Sequence, residues 1–94
     1  MNIQMETVPK INAGVKVRRE QFGLLLVSKR TPILALNEDS AIIWECIDGR
    51  NSVEEIATKL QAETEEEQSK TAETVRCFVE SCFELGLLEI GLDN

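Results

Sequence analysis

The chain has 94 residues and a mass of 10.6 kDa, which suits one small domain with a single hydrophobic core. It carries 10 basic and 17 acidic residues, a net charge of −7. It has no histidine or tyrosine, which excludes catalysis by imidazole and metal sites that contain imidazole. No apolar run approaches the roughly 20 residues that span a bilayer, and no signal peptide pattern opens the chain, so we expect a cytoplasmic protein without membrane contact.

The net charge is divided unevenly along the chain. Residues 1–37 carry six basic and two acidic side chains, a charge of +4, whereas residues 38–94 carry four basic and 15 acidic ones, a charge of −11. The change coincides with a switch from strand-like to helix-like patterning. We predict a flexible N-terminal arm over residues 1–12, one folded domain over 13–90 and a tail over 91–94.

Three strands are predicted in the basic half. The stretch that begins at Val15 alternates apolar and basic side chains, which is typical of a half-buried strand. A continuous apolar run begins at Phe22 after a short connection, which indicates a hairpin. A turn ending at Pro32 precedes a third short apolar run. These patterns predict an antiparallel meander over residues 15–19, 22–28 and 32–36.

Three helices are predicted in the acidic half. Asn37 is a favourable N-cap for the first helix, which we expect to stop at the Asp48-Gly49 pair. Ser52 and Glu55 form a capping box at the start of a second helix that runs to about Gln61. A second capping box over residues 64–67 opens a longer third helix. Its apolar stripe comprises Val75, Phe78, Val79, Cys82 and Phe83.

The segment after Gly86 is predicted to pack back on the domain as a short extended tail. Together the elements indicate an α+β fold resembling a winged helix-turn-helix, with a three-stranded antiparallel sheet followed by three helices. The three cysteines are odd in number and match no metal or redox spacing, so we interpret them as small buried apolar residues.

The residue types present indicate no catalytic site. The five glycines are scattered, so no phosphate-binding loop is formed, and the carboxylates lie where helix caps and solvated faces require them. We therefore predict no enzyme activity, no metal and no cofactor. A winged-helix DNA-binding transcriptional regulator is the alternative, but the predicted third helix has many more glutamates than basic residues and would be repelled by DNA.

The third strand is apolar on both faces, although a sheet covered on one side needs only one apolar face. One explanation is that helices or the N-terminal arm cover both sides. The other is that one side borders an apolar groove, with a free edge to which a peptide strand can add. Lys29, Arg30 and Arg76 would then attract an acidic peptide. A third option is a homodimer in which a second copy covers the edge.

Several short motifs resemble the PqqD-like family. They are Leu36-Asn37-Glu38, Ile43-Trp44-Glu45, Asp48-Gly49, Ser52-Val53-Glu54-Glu55-Ile56-Ala57 and Leu85-Gly86-Leu87-Leu88. The resemblance extends over about residues 13 to 90. The spacing between the first two strands is similar to that of mycofactocin-type binding proteins.

The resemblance implies a non-catalytic peptide chaperone. Such a protein, a RiPP recognition element, binds the leader of a ribosomally synthesised precursor peptide and presents it to a radical S-adenosylmethionine (SAM) enzyme. In that family the leader adds as a strand beside the third strand and lies against the third helix. Transferred to this sequence, the implied peptide-binding residues are Lys29, Arg30, Ile33, Leu34, Ala35, Val75, Arg76 and Val79.

Overall fold

The computed structural model describes residues 3–29, 31–64 and 68–91. Within these residues the elements, in chain order, are β1 (Pro9–Ile11), β2 (Lys16–Glu20), β3 (Gly23–Val27), β4 (Leu34–Leu36), α1 (Glu38–Glu45), α2 (Val53–Thr64), α3 (Gln68–Glu84) and β5 (Leu88–Ile90). The predicted α+β class, with a three-stranded antiparallel sheet followed by three helices, is confirmed.

The three-stranded sheet has the order β2-β3-β4, with β3 in the centre. Its hairpin turn consists of Gln21 and Phe22, so β3 begins one residue later than predicted. Gly23 adopts φ 148°, and a Cβ at this position would overlap the carbonyl oxygen of Leu36. The absence of a side chain at Gly23 therefore lets the start of β3 approach the end of β4 closely.

The first two helices are capped as the sequence predicts. The Asn37 side chain accepts a hydrogen bond from the Ser40 backbone N–H at 2.9 Å and caps α1. The Glu55 N–H donates to the Ser52 hydroxyl at 3.1 Å, and the Ser52 N–H donates to the Glu55 carboxylate at 2.8 Å. This reciprocal pair is the predicted capping box of α2.

The helix ends differ from the predicted ends. α2 continues three residues past Gln61, and the hydroxyl of Thr64, in the last turn, donates to the Leu60 carbonyl oxygen at 3.0 Å. The first residue of the predicted capping box for α3 is therefore part of α2, and its other residues, 65–67, lie outside the described residues. α3 ends at Glu84, two residues before Gly86, which adopts φ 78°.

The core lies between the inward face of the three-stranded sheet and the helices. α1 packs on β3 and β4, α2 packs on α1 and α3, and α3 packs on β5. The largest aromatic side chain, Trp44, is buried in this core, and the predicted α3 stripe contributes to it. The fully or nearly fully buried residues include Leu24, Leu26, Ile43, Val53, Ile56, Leu60, Val75, Val79 and Leu87.

The predicted flexible arm is wrong for the described residues from Ile3 onward. β1 pairs with β5 in a second, two-stranded antiparallel sheet, and Ile3 is buried in the core. The backbone N–H groups of Val53 and Glu54 donate to the carbonyl oxygens of Thr7 and Met5, each at 2.9 Å. The segment thus satisfies two donors in the first turn of α2, which have no partner within the helix.

Candidate functional site

The β4 strand lies at one edge of the three-stranded sheet. It pairs with β3 through Leu34, Ala35 and Leu36, and in the described part of the chain no strand pairs with its other side. An edge strand presents unpaired backbone N–H and C=O groups that another extended chain can pair with. The predicted third strand therefore has the free edge that strand addition requires.

The two faces of β4 differ in exposure, although both are apolar. Leu36 is buried and Leu34 is half-buried against the core, so these two residues form the inward side. Ala35, between them, is exposed on the opposite side. Ile33, immediately before the strand, has 64% of its surface exposed. Of the two explanations for the apolar strand, the structure supports the one in which one face remains open.

The basic residues before β4 are only partly described. Lys29 follows the end of β3 and is exposed, and it forms no ion pair with any residue of the described segments. Arg30 lies outside the described residues. Lys29 thus places one uncompensated positive charge near the beginning of the free edge.

Two of the predicted helix contacts lie in the core. Val75 and Val79 are fully buried, with no exposed surface, because α3 turns this face toward the core. The same stripe that predicted a buried helix face contains both residues, so the periodicity already indicated their role in packing. Contact of these two residues with a docked peptide stays a prediction.

Arg76 lies on the surface of α3, but its charge is already compensated. Its guanidinium contacts the Glu73 carboxylate at 2.7 Å and the Glu80 carboxylate at 3.6 Å. The hydrogen bond and the charge of Glu73 raise the pKa of Arg76, and the same contact lowers the pKa of the Glu73 carboxyl group. Arg76 therefore offers an incoming acidic peptide little net positive charge.

An open cavity of about 630 Å³ lies between the two sheets. It is bordered by the turn between β1 and β2, by the end of β3 and by the segment around β5. Lys16, Lys29 and Glu89 supply its charged groups. Lys29 thus lies between this cavity and the beginning of β4. No local pattern in the sequence indicates the cavity, because the pairing of β1 with β5, which are far apart in the chain, brings its borders together.

The three cysteines differ in their exposure to solvent. Cys82 is buried, and burial raises its pKa to about 12, whereas Cys46 is half-buried. Cys77 is exposed on α3, which contradicts the interpretation of all three as buried residues. A hydrogen bond between its thiol and the Glu73 carboxylate raises the pKa of Cys77. Its exposure follows from its place in the helix, four residues after the exposed Glu73.

Across residues 3–29, 31–64 and 68–91, no group of three or more histidine, cysteine, aspartate or glutamate side chains is arranged to hold a metal ion. In that same part of the chain, none of the helices has the length and apolar character needed to cross a membrane.

Residues 23–88, well over half of the chain, match the model of the family described as coenzyme PQQ synthesis protein D (PqqD). No curated protein matches the chain.

Several solved structures have a similar fold. One is the solution NMR structure of the PqqD truncation of Methylobacterium extorquens PqqCD, a stand-alone RiPP recognition element. It is 19% identical, with a TM-score of 0.78, and the match covers 93% of this chain and 94% of that chain.

The other two structures are complexes with leader peptides. Lasso peptide synthetase B1 is 20% identical, with a TM-score of 0.76, and the match covers 87% of this chain and 98% of that one. TbiB1 in complex with the TbiA(beta) leader peptide is 21% identical, with a TM-score of 0.77 and coverages of 90% and 99%. At these identities the likeness shows a shared fold.

Proposed function

The chain belongs to the PqqD family, and from this premise we propose that it is a non-catalytic peptide chaperone in the cytoplasm. It binds the leader of a ribosomally synthesised precursor peptide by strand addition at β4 and presents it to a radical SAM enzyme. The observation that carries the proposal is the free, apolar edge of β4. Two proteins of similar fold are complexed with leader peptides, which supports the same ligand class.

The proposed contacts are those that the structure leaves accessible. Leu34 and Ala35 offer backbone groups along the edge, and Ile33 offers an exposed apolar side chain. Lys29 supplies a positive charge for an acidic leader. Arg76 contributes less, because its two glutamate partners compensate its charge.

The expected affinity is moderate. Each added main-chain hydrogen bond contributes about 0.5–1.5 kcal/mol net, and burial of an aliphatic side chain contributes about 1.5–3 kcal/mol. Because a flexible leader loses conformational entropy on binding, a large part of that gain is offset. We expect a dissociation constant near 1 μM, about −8 kcal/mol.

The charge of α3 disfavours the alternative of a DNA-binding regulator. The helix carries Lys70 and Arg76 in its described part, and Arg76 is paired with Glu73 and Glu80. A recognition helix needs positive charge that is available to the phosphates of DNA. The surface of α3 offers little of it.

An NMR titration tests the proposed function. The isotope-labelled chain is titrated with the synthetic leader of the precursor encoded beside it, and with a scrambled leader as control. We expect amide shifts concentrated in residues 29–36, with smaller shifts on α3, and none with the scrambled peptide. Shifts confined to other regions contradict the proposed edge. Retention on duplex DNA at low salt, with a steep salt dependence, would instead support the regulator.

A further inference from the structure

The hairpin between β2 and β3 determines the direction in which each backbone group of β3 points. Only two residues separate the paired Glu20 and Gly23, so this closing pair is of the hydrogen-bonded type. In an antiparallel ladder, hydrogen-bonded pairs alternate with pairs that share no hydrogen bond. The backbone groups of Leu24 and Leu26 therefore point away from β2 and toward β4.

The same alternation divides the three residues of β4. Leu34 and Leu36 pair with the two β3 residues whose backbone groups point toward β4, so their own N–H and C=O groups are directed at β3. Ala35, between them, lies opposite Leu25 in a pair without mutual hydrogen bonds. Its N–H and C=O consequently point to the free edge, where no strand of the described residues lies.

The side chain of Ala35 leaves these backbone groups accessible. It ends at Cβ and is exposed on the outward side of the sheet, opposite to the side of Leu34 and Leu36. A strand that approaches the edge in the plane of the sheet therefore meets no bulky side chain at this residue. Pairing exchanges hydrogen bonds to water for hydrogen bonds to the incoming strand.

We propose that Ala35 is the residue of β4 whose backbone anchors the leader, with its N–H donating to a leader carbonyl oxygen and its C=O accepting from a leader N–H. The inference rests on the proposed function and narrows it, because it assigns the backbone contacts within β4 to Ala35 and not to Leu34. The leader residue that donates to Ala35 needs an N–H, so it is not a proline. Its two neighbours direct their N–H groups away from β4, so a proline there costs no hydrogen bond.

β2 is the other edge of the same sheet and therefore the competing edge for strand addition. By the same alternation, Val17 and Arg19 direct their backbone groups away from β3. The side chains of β2 offer less to an acidic leader, because its two arginines already have partners, Arg18 with Glu20 and Arg19 with Glu45. β4 is apolar on both faces, so leader side chains gain apolar contacts on either side.

Hydrogen exchange followed residue by residue by NMR tests the anchor directly. The isotope-labelled chain is measured alone, with the synthetic leader of the precursor encoded beside it, and with a scrambled leader. In the free chain we expect the Ala35 and Val17 amides to exchange fast and the Leu34 and Leu36 amides slowly. Saturating leader is expected to slow the Ala35 amide about tenfold or more and to leave the Val17 amide unchanged, whereas the scrambled leader slows neither.

A scan of the leader tests the restriction on its sequence. Each residue of the synthetic leader is N-methylated in turn, which removes one N–H, and affinity for the wild-type chain is measured by fluorescence anisotropy. We expect a loss of about tenfold or more at the residue that donates to Ala35, and of less than about threefold at its two neighbours.

Two proline variants form a matched pair in the chain. Ala35→Pro removes the N–H that points to the free edge of β4, and Val17→Pro makes the same change on the edge of β2. Proline is compatible with an edge strand where its nitrogen faces outward. Ala35→Pro is expected to weaken leader binding about tenfold or more, whereas Val17→Pro and Ala35→Ser, which keeps the N–H, stay within about twofold. Circular dichroism checks folding, and if Ala35→Pro does not fold, the exchange measurement and the leader scan decide with the wild-type chain.

Three results overturn the inference. They are protection of the Val17 amide in place of the Ala35 amide, equal losses on N-methylation of consecutive leader residues, and equal weakening by folded Ala35→Pro and Val17→Pro. If the leader binds and the Ala35 amide stays unprotected, the proposed function stands and the anchor is wrong. If the leader binds no better than the scrambled peptide, the proposed function fails and the anchor fails with it.

Discussion

Arg76 and Glu73 lie one turn apart on α3, and the guanidinium of Arg76 contacts the Glu73 carboxylate at 2.7 Å. Glu80, on the next turn, flanks the same guanidinium at 3.6 Å. One basic residue is therefore held between two acids of its own helix. Lys29, before the free edge of β4, has no such partner within the described residues.

This difference predicts unequal effects of removing the two charges. Lys29→Gln is expected to weaken binding of an acidic leader about twofold to fivefold, the range for exposed charge pairs. Arg76→Gln is expected to change the affinity by less than twofold, because the glutamates already compensate that charge. Fluorescence anisotropy at low and high salt measures both. A larger loss for Arg76→Gln, or a Lys29→Gln effect that persists in 1 M salt, contradicts the assignment.

The exposed side chain at the beginning of the edge predicts a binding variant that remains stable. Ile33→Asp removes an apolar contact and places a negative charge beside an acidic leader, so we expect at least tenfold weaker binding. Because Ile33 is 64% exposed, the free energy of unfolding is expected to change by less than about 0.5 kcal/mol. Ile90→Asp, at a residue 57% exposed on the other sheet, is the matched control and is expected to leave binding unchanged.

The sequence predicted the elements whose causes are local. Asn37 and the Ser52–Glu55 pair cap their helices through hydrogen bonds within four residues, and these are visible in a short motif. The pairing of β1 with β5 joins segments almost 80 residues apart, and no local pattern in Pro9–Ile11 indicates it. That long-range pairing explains why the N-terminal segment was mistaken for a flexible arm.

The open face of β4 was predictable from the sequence, whereas the surroundings of the predicted α3 residues were not. The third strand is apolar on both faces, and a sheet covered on one side buries only one of them. The apolar side chains on the other face therefore indicated an open apolar face. On α3 the apolar stripe accounts for Val75 and Val79 by packing, and their contact with a peptide, which the family resemblance implies, stays a prediction. The spacing of Glu73, Arg76 and Glu80 allows ion pairs on a helix, but whether they form depends on the side-chain conformations.

Burial of Val79 predicts a loss of stability rather than of binding. Val79→Ala removes two carbon atoms from a fully buried position and is expected to cost about 2–3 kcal/mol in urea denaturation. Leader affinity of the folded variant is expected to stay within twofold of the wild type. Thr74→Ala, on the exposed side of the same helix, is the control and is expected to change stability little. A tenfold loss of leader affinity in folded Val79→Ala would show that the Val79 side chain contributes to leader binding.

The different environments of the cysteines predict an order of thiol reactivity. Cys77 is expected to react first with a thiol-specific reagent at pH 8, because it is exposed. Cys82 is expected to react only on unfolding, because its side chain is buried and its pKa is raised to about 12. Mass spectrometry of peptides from the partly labelled chain gives the order. Labelling of Cys82 before Cys77 under native conditions contradicts the packing of α3.

The N-terminal segment is predicted to stabilise α2 from outside the helix. The carbonyl oxygens of residues 7 and 5 accept hydrogen bonds from the backbone N–H groups of Val53 and Glu54, respectively, each at 2.9 Å, and Ile3 anchors the segment in the core. These two amides are therefore expected to exchange slowly with solvent. Free N–H groups at a helix start that lack such partners exchange quickly.

Ile3→Ala is expected to destabilise the fold by about 2–4 kcal/mol in urea denaturation, because a buried isoleucine loses most of its apolar contacts. The same variant is expected to speed exchange of the Val53 and Glu54 amides, since the segment that carries their acceptors loses its anchor. Gln4→Ala is the control, because the adjacent Gln4 side chain is exposed. Unchanged stability and fast exchange of both amides in the wild type would show that the segment is a mobile arm after all.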